Sequence, residues 1–452
     1  MSLEVIILAA GQGKRMRSRL PKVLHQLAGQ PLLSHVLKAA SSIGAKQIHV
    51  VYGHGGDMVK SAFPDTALRW VHQQEQNGTG HAVELALQGI TDEVQIMILY
   101  GDVPMIKRET LHKMVNAGFD LVVLTAVIEN PSGYGRILRN STGQITGIIE
   151  ERDANNDQKA IKEINTGIML GRAEELRYLL AKIDCSNDQA EMYLTDVISI
   201  AVDRGLKVGT VRADSEIEIT GINDKLQLAA MEREKQLETA NDMMRDGLTL
   251  RDPGRLDVRG ELKFGMDVVI DVNVIIEGQV ELGDGVVVGP NVYLRDCVIG
   301  SGTQIKSNCV LEEADIGENA VVGPFARIRP GTRLAKQVHI GNFVEIKNSQ
   351  VKSGAKINHL SYVGDSSIGE RVNVGAGTIT CNYDGANKHH TEIGDDAFIG
   401  SGTELVAPVS VGAGATIGAG STITRDAPAN ELTLERNKQR SISGWQRPKK
   451  KG

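Results

Sequence analysis

The residues best suited to chemistry in the amino-terminal half of the sequence follow short apolar runs. The glycine-rich stretch LAAGQGKRM covers residues 8–16, directly after the apolar run that begins at Val5, and Lys22 comes shortly after it. Glycine lets backbone N–H groups approach phosphate oxygens, and Arg15 and Lys22 add positive charge. Asp102 ends another apolar run, where a carboxylate can hold Mg²⁺ that bridges phosphates. Taken alone, Asp102 also fits a solvated strand end, but the combination indicates a phosphate site with a metal.

A polar loop in the same half is suited to the recognition of a nucleobase. The segment QQEQNGTGH covers residues 73–81. Side-chain amides carry both donors and acceptors, so this loop can read the edge of a base. We expect it to lie near the phosphate site.

The carboxyl-terminal half carries a histidine among polar and basic residues. His359 lies in the segment NHLSY, and a histidine at such a place is often only a satisfied surface residue. Its neighbours within about 60 residues of sequence share a polar, net basic character: Arg329, Lys347, Tyr362, Asn373, Asn382, Tyr383 and Lys388. Most of them recur at similar places in successive repeats, so stacking would bring many of them to one face. Such a set suits a small phosphorylated sugar, and an imidazole beside it can act as a general base.

The elements that position the first set follow an alternation of strands and helices. Apolar runs near Val5, Ile48, Gln95 and Leu121 read as buried strands, and the segments 32–43 and 80–87 have helical spacing. This βαβ alternation predicts an α/β, Rossmann-like domain over residues 1–223, with ligands beyond the carboxyl ends of the strands. Residues 224–247 predict a linker helix that stops near Gly247, although it could equally be the last helix of the first domain.

The elements that position the second set repeat every six residues. Ile393, Ile399, Leu405, Val411 and Ile417 are each six apart, and small or β-branched residues recur four positions after them. A hexapeptide repeat predicts a parallel β-helix, here over residues 248–434 and left-handed, followed by a basic tail over 435–452. The rhythm breaks at residues 380–392 and again near 334–339, which predicts two loops.

Composition and charge exclude several classes of function. Aromatic residues make up only 4% and glycine reaches 50 of 452 residues, as a narrow aliphatic core with tight corners requires. The net charge of −6 gives no electrostatic footprint for nucleic acid or an anionic membrane. The sequence shows no signal peptide or membrane span, and its four cysteines have no metal spacing. We therefore expect a cytoplasmic protein.

The motifs together resemble a known family. LAAGxGxRM, PK, QxxQxGTGHA, YGDVP, GYGR, EINTG and GxN are similar to those of nucleotide-sugar pyrophosphorylases, although Lys14 stands where many members carry threonine. The combination with a hexapeptide β-helix resembles the bifunctional uridyltransferase/acetyltransferase family over almost the whole chain. The resemblance implies acetyl transfer from acetyl-CoA to glucosamine-1-phosphate, then Mg²⁺-dependent transfer of uridylyl from UTP to N-acetylglucosamine-1-phosphate. The product would be UDP-N-acetylglucosamine, a precursor of peptidoglycan and lipopolysaccharide.

The resemblance also implies roles for individual residues of the first domain. Arg15 and Lys22 would act on the phosphates, and Asp102 and Asn223 would hold Mg²⁺. The remaining contacts to UTP and the nucleotide sugar would come from Leu8, Ala10, Gly11, Gly13, Gln73, Gln76, Gly78, Thr79, Tyr100, Gly101, Gly135, Glu150, Asn165 and Thr166.

In the second domain the resemblance makes His359 the general base that takes a proton from the attacking amine. The sugar phosphate would be bound by Arg329, Lys347, Tyr362, Asn373 and Lys388, with Asn382 and Tyr383 orienting the amine and the base. Acetyl-CoA would lie along Ala376, Asn382, Tyr383, Ser401, Ala419 and either Arg436 or Arg440. A homotrimer is implied, because such sites are built between neighbouring β-helices.

Two other functions are compatible with parts of the sequence. A pyrophosphorylase with a single activity could use the β-helix only as a platform, but the NHLSY segment and the NYDGANK loop argue against it. A non-catalytic scaffold is the other alternative, and the set of Lys22, Asp102 and Asn223 argues against that one.

Overall fold

The computed structural model describes residues 2–53, 55–64, 67–184 and 191–448. Contacts divide the chain into two compact units, Met1–Lys235 and Gln236–Gly452. The division falls inside one helix, Lys225–Arg245, where the sequence predicts a linker helix. The helix ends at Arg245, and Gly247 follows at φ 106°, a conformation that residues with a Cβ rarely adopt.

The first unit alternates strands and helices as predicted. Its strands are β1 Leu3–Leu8, β2 Gln26–Leu27, β3 Gln30–Pro31, β4 Gln47–Tyr52, β5 Leu68–His72, β6 Gln95–Tyr100, β7 Leu121–Val127, β8 Arg136–Arg139, β9 Ile145–Ile149, β10 Glu163–Arg172 and β11 Val208–Arg212. Its helices are α1 Leu32–Ser42, α2 Gly56–Ala62, α3 Thr79–Leu87, α4 Arg108–Val115, α5 Asn156–Lys159, α6 Ala173–Leu180, α7 Val197–Asp203, α8 Glu216–Ile219 and the first part of α9 Lys225–Arg245. Short 3-10 turns cover Lys14–Met16, Lys22–Leu24 and Leu194–Asp196.

The main sheet of this unit is mixed, in the order β11-β7-β10-β6-β1-β4-β5, with β8 and β9 as a hairpin beside β10. All neighbours are parallel except β10, which runs antiparallel to both β6 and β7. The strands read as continuous apolar runs because both faces are covered: Val5 and Ile7 belong to one core cluster and Ile6 to another. The carboxyl ends of β1, β4, β5 and β6 therefore meet at one edge, where the sequence places its glycine-rich and polar loops.

The second unit is a parallel β-helix. Its strands are β12 Thr249–Leu250, β13 Leu256–Phe264, β14 Val269–Ile270, β15 Val274–Leu282, β16 Val287–Val288, β17 Tyr293–Ile299, β18 Gln304–Ile305, β19 Val310–Glu312, β20 Asp315–Ile316, β21 Val321–Val322, β22 Arg327–Ile328, β23 Arg333–Leu334, β24 His339–Asn342, β25 Glu345–Lys347, β26 Gln350–Val351, β27 Lys356–His359, β28 Tyr362–Gly364, β29 Ser366–Ile368, β30 Asn373–Val374, β31 Ile379–Cys381, β32 Thr391–Ile393, β33 Phe398–Ile399, β34 Glu404–Val406, β35 Val409–Val411, β36 Thr416–Ile417, β37 Thr422–Ile423 and β38 Leu432–Thr433. A 3-10 turn covers Pro253–Arg255.

Three faces arise because each coil contributes one strand to each of three parallel stacks. The first face contains β21, β24, β27, β30 and β33, the second β22, β25, β28, β31 and β34, and the third β23, β26, β29 and β32. Most stacked partners are 17 or 18 positions apart, as Val287 is from Gln304 and from Val269. The aliphatic residue of every hexapeptide named in the prediction points inward and is buried, as are Ala397, Thr403, Val409, Ala415 and Ser421 four positions later.

Of the two predicted loops, one is confirmed and one is wrong. Asn373 pairs with Phe398, a step of 25 positions, so the segment after β31 leaves the regular coil as predicted. Near residues 334–339 the coil is regular, because Leu334, Val338 and Ile340 all point into the core. The polar residues Lys336 and Gln337 made this segment look like a loop, but they form an ordinary corner of the coil, in which Gln337 has φ 61°.

Among the described residues, no helix combines the length and the apolar character that crossing a bilayer requires.

Candidate functional sites

A cavity of about 280 Å³ opens at the carboxyl edge of the first unit's sheet. It collects the ends of β1 and β6 and the polar loop after β5. Most residues predicted for nucleotide binding line it: Leu8, Ala10, Gly11, Lys22, Gln73, Gln76, Gly78, Thr79, Tyr100 and Asp102. Gly101 lies between the last two, and a Cβ built on it would come within 3.2 Å of Val23, 3.3 Å of Ala9 and 3.4 Å of the Leu8 carbonyl oxygen. The sequence prediction of one site from these separate motifs is geometrically consistent.

Three polar side chains converge at this cavity. The Lys22 ammonium forms an ion pair with Asp102 Oδ2 and donates a hydrogen bond of 2.7 Å to Asn223 Oδ1. These residues come from the turn after β1, the end of β6 and the loop before α9. A cation therefore already lies between the two predicted metal ligands.

The same two oxygens form a donor set that fits Mg²⁺. Mg²⁺ prefers carboxylate and carbonyl oxygen and is typically held by one or two protein ligands together with substrate phosphates. Asp102 and Asn223 aim their oxygens at one cation, as such a site requires. In the described ranges, no group of three or more histidine, cysteine, aspartate or glutamate side chains is placed to hold a metal ion.

The glycine-rich turn is shaped by close backbone contacts. Gly13 has φ 60°, and a Cβ there would come within 2.8 Å of Lys22 Cβ, so glycine allows the turn to pack against Lys22. Arg15 is exposed on the 3-10 turn and does not line the cavity in this conformation. A basic group that swings over bound phosphates is compatible with this position, but its predicted role stays a prediction.

The polar loop is fixed by its own amides. Gln76 Nε2 donates to the carbonyl oxygen of Ala10 at 2.7 Å, and Gln73 Nε2 donates to that of Gly78 at 3.0 Å. A Cβ on Gly78 would lie 2.6 Å from the carbonyl oxygen of Met192, so this position also requires glycine. The polar loop is thus held against the glycine-rich turn, so that the two segments could contact the same nucleotide.

A second cavity, of about 530 Å³, adjoins the first and shares Thr79, Tyr100 and Glu191 with it. The residues predicted to contact the sugar all line it: Gly135, Glu150, Asn165 and Thr166. The Tyr100 ring packs against Gly167, where any Cβ would overlap it. Tyr100 therefore forms the wall between the two cavities.

Electrostatics in the second cavity centre on Glu150. Burial raises the pKa of Glu150, and a hydrogen bond of 3.1 Å donated by Thr195 Oγ1 opposes that shift. Nearby Asp196 is affected more strongly: burial, followed by the charges of Glu150, Asp153 and Asp184, raises its pKa to about 6. The uncharged hydroxyl of Thr195 therefore holds the carboxylate of Glu150, which is predicted to bind the sugar.

On the β-helix, His359 is exposed at the end of β27. Its Nδ1 lies 2.9 Å from Oδ1 of Asn342, its register partner one coil below. An amide oxygen only accepts, so Nδ1 carries the hydrogen and Nε2 keeps a free lone pair. The base predicted from the sequence is thus held in the tautomer that can accept a proton.

The basic residues do not all lie on one face. Lys347 and Tyr362 belong to β25 and β28 on the second face, whereas Asn373 belongs to β30 on the first. Stacking was expected to gather many of them, and it gathers only some, because residues of different strands in one coil point from different sides of the triangle. Arg329 follows β22 on the second face and donates a hydrogen bond of 2.8 Å to Glu345.

The loop after β31 brings further groups to Lys347. The side chains of Lys347 and Lys388 are close enough to lower the pKa of Lys388, first through direct contact and then through charge repulsion. Asn382 donates a hydrogen bond to Asp365, and Tyr383 pairs with Lys388 across the loop. The side chain of Tyr383 is exposed, with its hydroxyl donating to the carbonyl oxygen of Gly385 at 2.6 Å.

Three of the residues predicted for acetyl-CoA occupy equivalent corners of successive coils, whereas Asn382 and Tyr383 lie in the loop after β31. Gly402 N donates to the Ala376 carbonyl at 2.7 Å and Gly420 N to the Ser401 carbonyl at 2.8 Å. This places Ala376, Ser401 and Ala419 in one column. Arg436 continues the column, because its Cδ is the nearest atom to a Cβ built on Gly420, which favours Arg436 over Arg440 as the tail cation. The last four tail residues lie outside the described residues.

The sequence prediction missed several residues that the fold brings to these sites. Glu191, Tyr193 and Thr195 line the second cavity, and no motif marked them. Asn342 and Asp365 contact His359 and Asn382, and counting 17 positions along the coils would have found both.

Comparisons with known proteins divide the chain in the same way. Residues 5–155 match the family model described as MobA-like NTP transferase domain. Residues 390–425 match Bacterial transferase hexapeptide (six repeats), the repeat of left-handed parallel β-helices, and residues 258–342 match GMPPB C-terminal domain. The predicted fold class is therefore confirmed.

Curated relatives match nearly the whole chain. A protein named "Bifunctional protein GlmU" in Marinobacter nauticus is 53% identical over 451 residues, 99% of each chain. Proteins of the same name in Azoarcus sp. and Aromatoleum aromaticum are 54% and 53% identical over 450 and 451 residues. They cover 99% of this chain and 100% and 99% of the relatives.

Proposed function

Because the chain belongs to the family of bifunctional GlmU proteins, a nucleotidyltransferase joined to an acetyltransferase, we propose how its own residues divide the work. The β-helix transfers acetyl from acetyl-CoA to the amine of glucosamine-1-phosphate. The first unit then joins the acetylated sugar phosphate to the uridylyl group of UTP and releases pyrophosphate. The observation that carries the proposal is the convergence of Lys22, Asp102 and Asn223 beside a cavity that adjoins the predicted sugar cavity.

The uridylyl transfer needs positioning more than acid–base catalysis. A phosphate oxygen of the sugar phosphate is already anionic, and it attacks the α-phosphorus while the bond to the departing pyrophosphate breaks. Lys22 neutralises charge on the phosphates, and the glycine-rich turn offers backbone N–H groups. The second cavity orients the sugar through Glu150 and Asn165, with Thr195 holding Glu150.

Asp102 and Asn223 would hold Mg²⁺, since their oxygens already face one cation. When bound, the metal supplies positive charge to the triphosphate. The Lys22 side chain is long and flexible enough to place its ammonium on the phosphates when these oxygens are used by the metal.

The acetyl transfer needs a base. His359 Nε2 takes a proton from the amine as nitrogen attacks the thioester carbon. The carbon–sulfur bond then breaks, and the sulfur takes up the proton held by His359 to leave as the thiol of CoA. The hydrogen bond to Asn342 holds the ring in the required tautomer and stabilises the charged imidazole that forms. Lys347, Lys388 and Arg329 bind the sugar phosphate, and the column from Ala376 to Arg436 receives acetyl-CoA.

A homotrimer would complete this second site. Phe325, Phe343 and Leu360 lie at successive corners and are 48%, 55% and 65% exposed, and the two phenylalanine rings stack with centroids 5.2 Å apart. A second copy of the chain would cover this apolar column, which begins right beside His359. Within one copy, Asn373 lies on a different face from Lys347. The first face of the neighbouring copy would supply its own Asn373 to the site. A cytoplasmic location fits substrates of intermediary metabolism.

The test is a pair of assays on wild type and His359→Ala. One assay supplies glucosamine-1-phosphate and acetyl-CoA and measures free CoA; the other supplies N-acetylglucosamine-1-phosphate, UTP and Mg²⁺ and measures pyrophosphate. We expect the variant to lose CoA release about 10²–10⁴-fold and to keep pyrophosphate release. Pyrophosphate without any CoA release in the wild type would reduce the β-helix to a platform.

A further inference from the structure

We propose that Asp365 is a positioning residue of the acetyltransferase site, holding the Asn382 amide and the Lys347–Lys388 pair in the arrangement that receives the sugar phosphate. The inference rests on the proposed function of that site. Asp365 carries no assigned role, and its side chain is only 12% exposed.

The geometry makes Asp365 a hub. It occupies a corner of the coil at φ 48°, between β28 and β29. Its Oδ1 accepts a hydrogen bond of 2.6 Å from Asn348, and its Oδ2 accepts one from Asn382. The same Oδ2 lies 3.6 Å from Lys347 Nζ. One carboxylate therefore joins a corner of the scaffold to two groups of the site.

Charge explains why a carboxylate is needed here. Lys347 and Lys388 contact each other, and their two positive charges repel. A nearby anion is therefore needed to offset this repulsion. Burial acts to raise the pKa of Asp365, but the hydrogen bonds from Asn348 and Asn382, with the charges of Lys347 and Lys388, outweigh burial and hold it below its usual range. The carboxylate thus stays ionised and keeps two ammonium groups together before the phosphate arrives.

The glycine before Asp365 supports the same arrangement. A Cβ on Gly364 would overlap Tyr362 Oη and come within 2.8 Å of Asn382 Nδ2. Gly364 therefore leaves room for two side chains of the site, and Asp365 fixes one of them.

A purely structural corner looks different. Asn273 and Asn291 also stack at successive corners, with a hydrogen bond of 2.9 Å between their side chains. Asp396 is a corner residue at φ 58°, and both of its carboxylate oxygens accept hydrogen bonds of 2.7 Å from Arg371. Asp365 has the corner bond in common with these, but its second oxygen faces Asn382 and Lys347.

The experiment compares Asp365→Asn with the matched corner variant Asp396→Asn in the full chain. Asparagine tolerates the left-handed conformation and keeps the shape, so both variants are expected to fold. For Asp365→Asn we expect kcat of acetyl transfer to fall about 10–100-fold, with pyrophosphate release unchanged. The amide keeps only one acceptor oxygen for the two donors Asn348 and Asn382, and it loses the charge that faces Lys347. Asp396→Asn should leave both activities as in the wild type.

A pH profile separates positioning from mere stability. Lys388 faces Lys347, Asp365 and Tyr362, and Asp365 is one of the groups that raise its pKa. Removing that carboxylate should make Lys388 lose its proton at lower pH. N-acetylglucosamine-1-phosphate, which has no titrating amine, serves as an inhibitor of acetyl transfer. Its binding should begin to weaken at a lower pH in Asp365→Asn than in the wild type.

A third variant isolates the corner bond. Asn348→Gly removes the hydrogen bond to Asp365 but leaves its contacts with Asn382 and Lys347, so it should keep the wild-type pH profile. If Asp365→Asn matches Asp396→Asn in kcat and in the pH profile, Asp365 is only a corner residue and the proposal fails. That outcome differs from failure of the proposed function, in which the wild type itself releases no CoA.

Discussion

The two sites of this chain are assembled in different ways. In the first unit, Lys22 meets Asp102 and Asn223, which lie 80 and 201 positions away along the chain. In the β-helix, His359 meets Asn342 and Asp365 meets Asn348, each 17 positions away. A solenoid brings together residues one coil apart, whereas an open sheet brings together loops from distant strands.

This difference also governs how each site is enclosed. Most nucleotide and sugar residues line cavities in the first unit, where the Tyr100 ring is partly buried and its pKa is raised by desolvation and then by the charges of Asp102 and Glu150. The His359 side chain lies on an exposed wall, next to the exposed Leu360. A wall alone buries little of a ligand, which is why a neighbouring copy is expected to complete the second site.

The sharpest separation of the two sites should come from Lys22→Ala. It removes the charge that faces the phosphates, and we expect pyrophosphate release to fall about 10²–10³-fold while CoA release is unchanged. Lys113→Ala is the matched control, because Lys113 forms a surface ion pair with Asp214 in the same unit. Equal loss in both variants would contradict the assignment of Lys22.

A smaller effect, on the other site, is expected from Gly364→Ala. The added Cβ would displace Tyr362 and Asn382, so CoA release should fall about tenfold while pyrophosphate release stays at the wild-type rate. Gly254→Ala adds a methyl group elsewhere on the β-helix, where the nearest side-chain atom lies at 3.4 Å, and should change neither rate. An unaffected Gly364→Ala enzyme would mean that the spacing of Tyr362 and Asn382 does not matter.

The smallest effect concerns the stability of the first unit. Asp196 has its pKa raised to about 6 above the usual value of 3.8, first by burial, so its ionisation opposes folding above that pH. The stability gained from the neutral form is present near pH 4 and is lost as the pH rises through about 6. Asp196→Asn should therefore stabilise the unit by about 1–2 kcal/mol at pH 8 and by about half as much at pH 5.

The measurement is the urea midpoint for loss of pyrophosphate release at the two pH values. Asp203→Asn, an exposed position at the end of the next helix, is the control. A gain that does not depend on pH would show that the change acts through packing and not through ionisation.

Much of the fold follows from local pattern. The runs at Val5, Ile48, Gln95 and Leu121 became strands because continuous apolar residues suit a sheet covered on both faces. The antiparallel β10 was not foreseen, since the direction of a strand leaves no mark on its own composition. The false loop near Leu334 arose because polar corner residues look alike in a regular coil and in a loop.

The candidate sites divide in the same way. The motifs placed most nucleotide and sugar residues at two adjoining cavities, but Tyr193 and Thr195 reach the sugar cavity by a turn before α7 that has no recognisable motif. Asn373 was expected beside Lys347, and the strand assignments place the two on different faces.

The sequence by itself determined the repeat, its buried positions and the loop after β31, because hydrophobic side chains six apart can be buried together only in a narrow coil. The tertiary structure decided why Gly13 and Gly78 must be glycine, since a Cβ there would collide with Lys22 or with the carbonyl oxygen of Met192. Only the tertiary structure decided that Asn223 faces Lys22 and that Asp365 joins Asn348 to Asn382. Those contacts depend on how the sheet orders its strands and how each coil stacks on the one below.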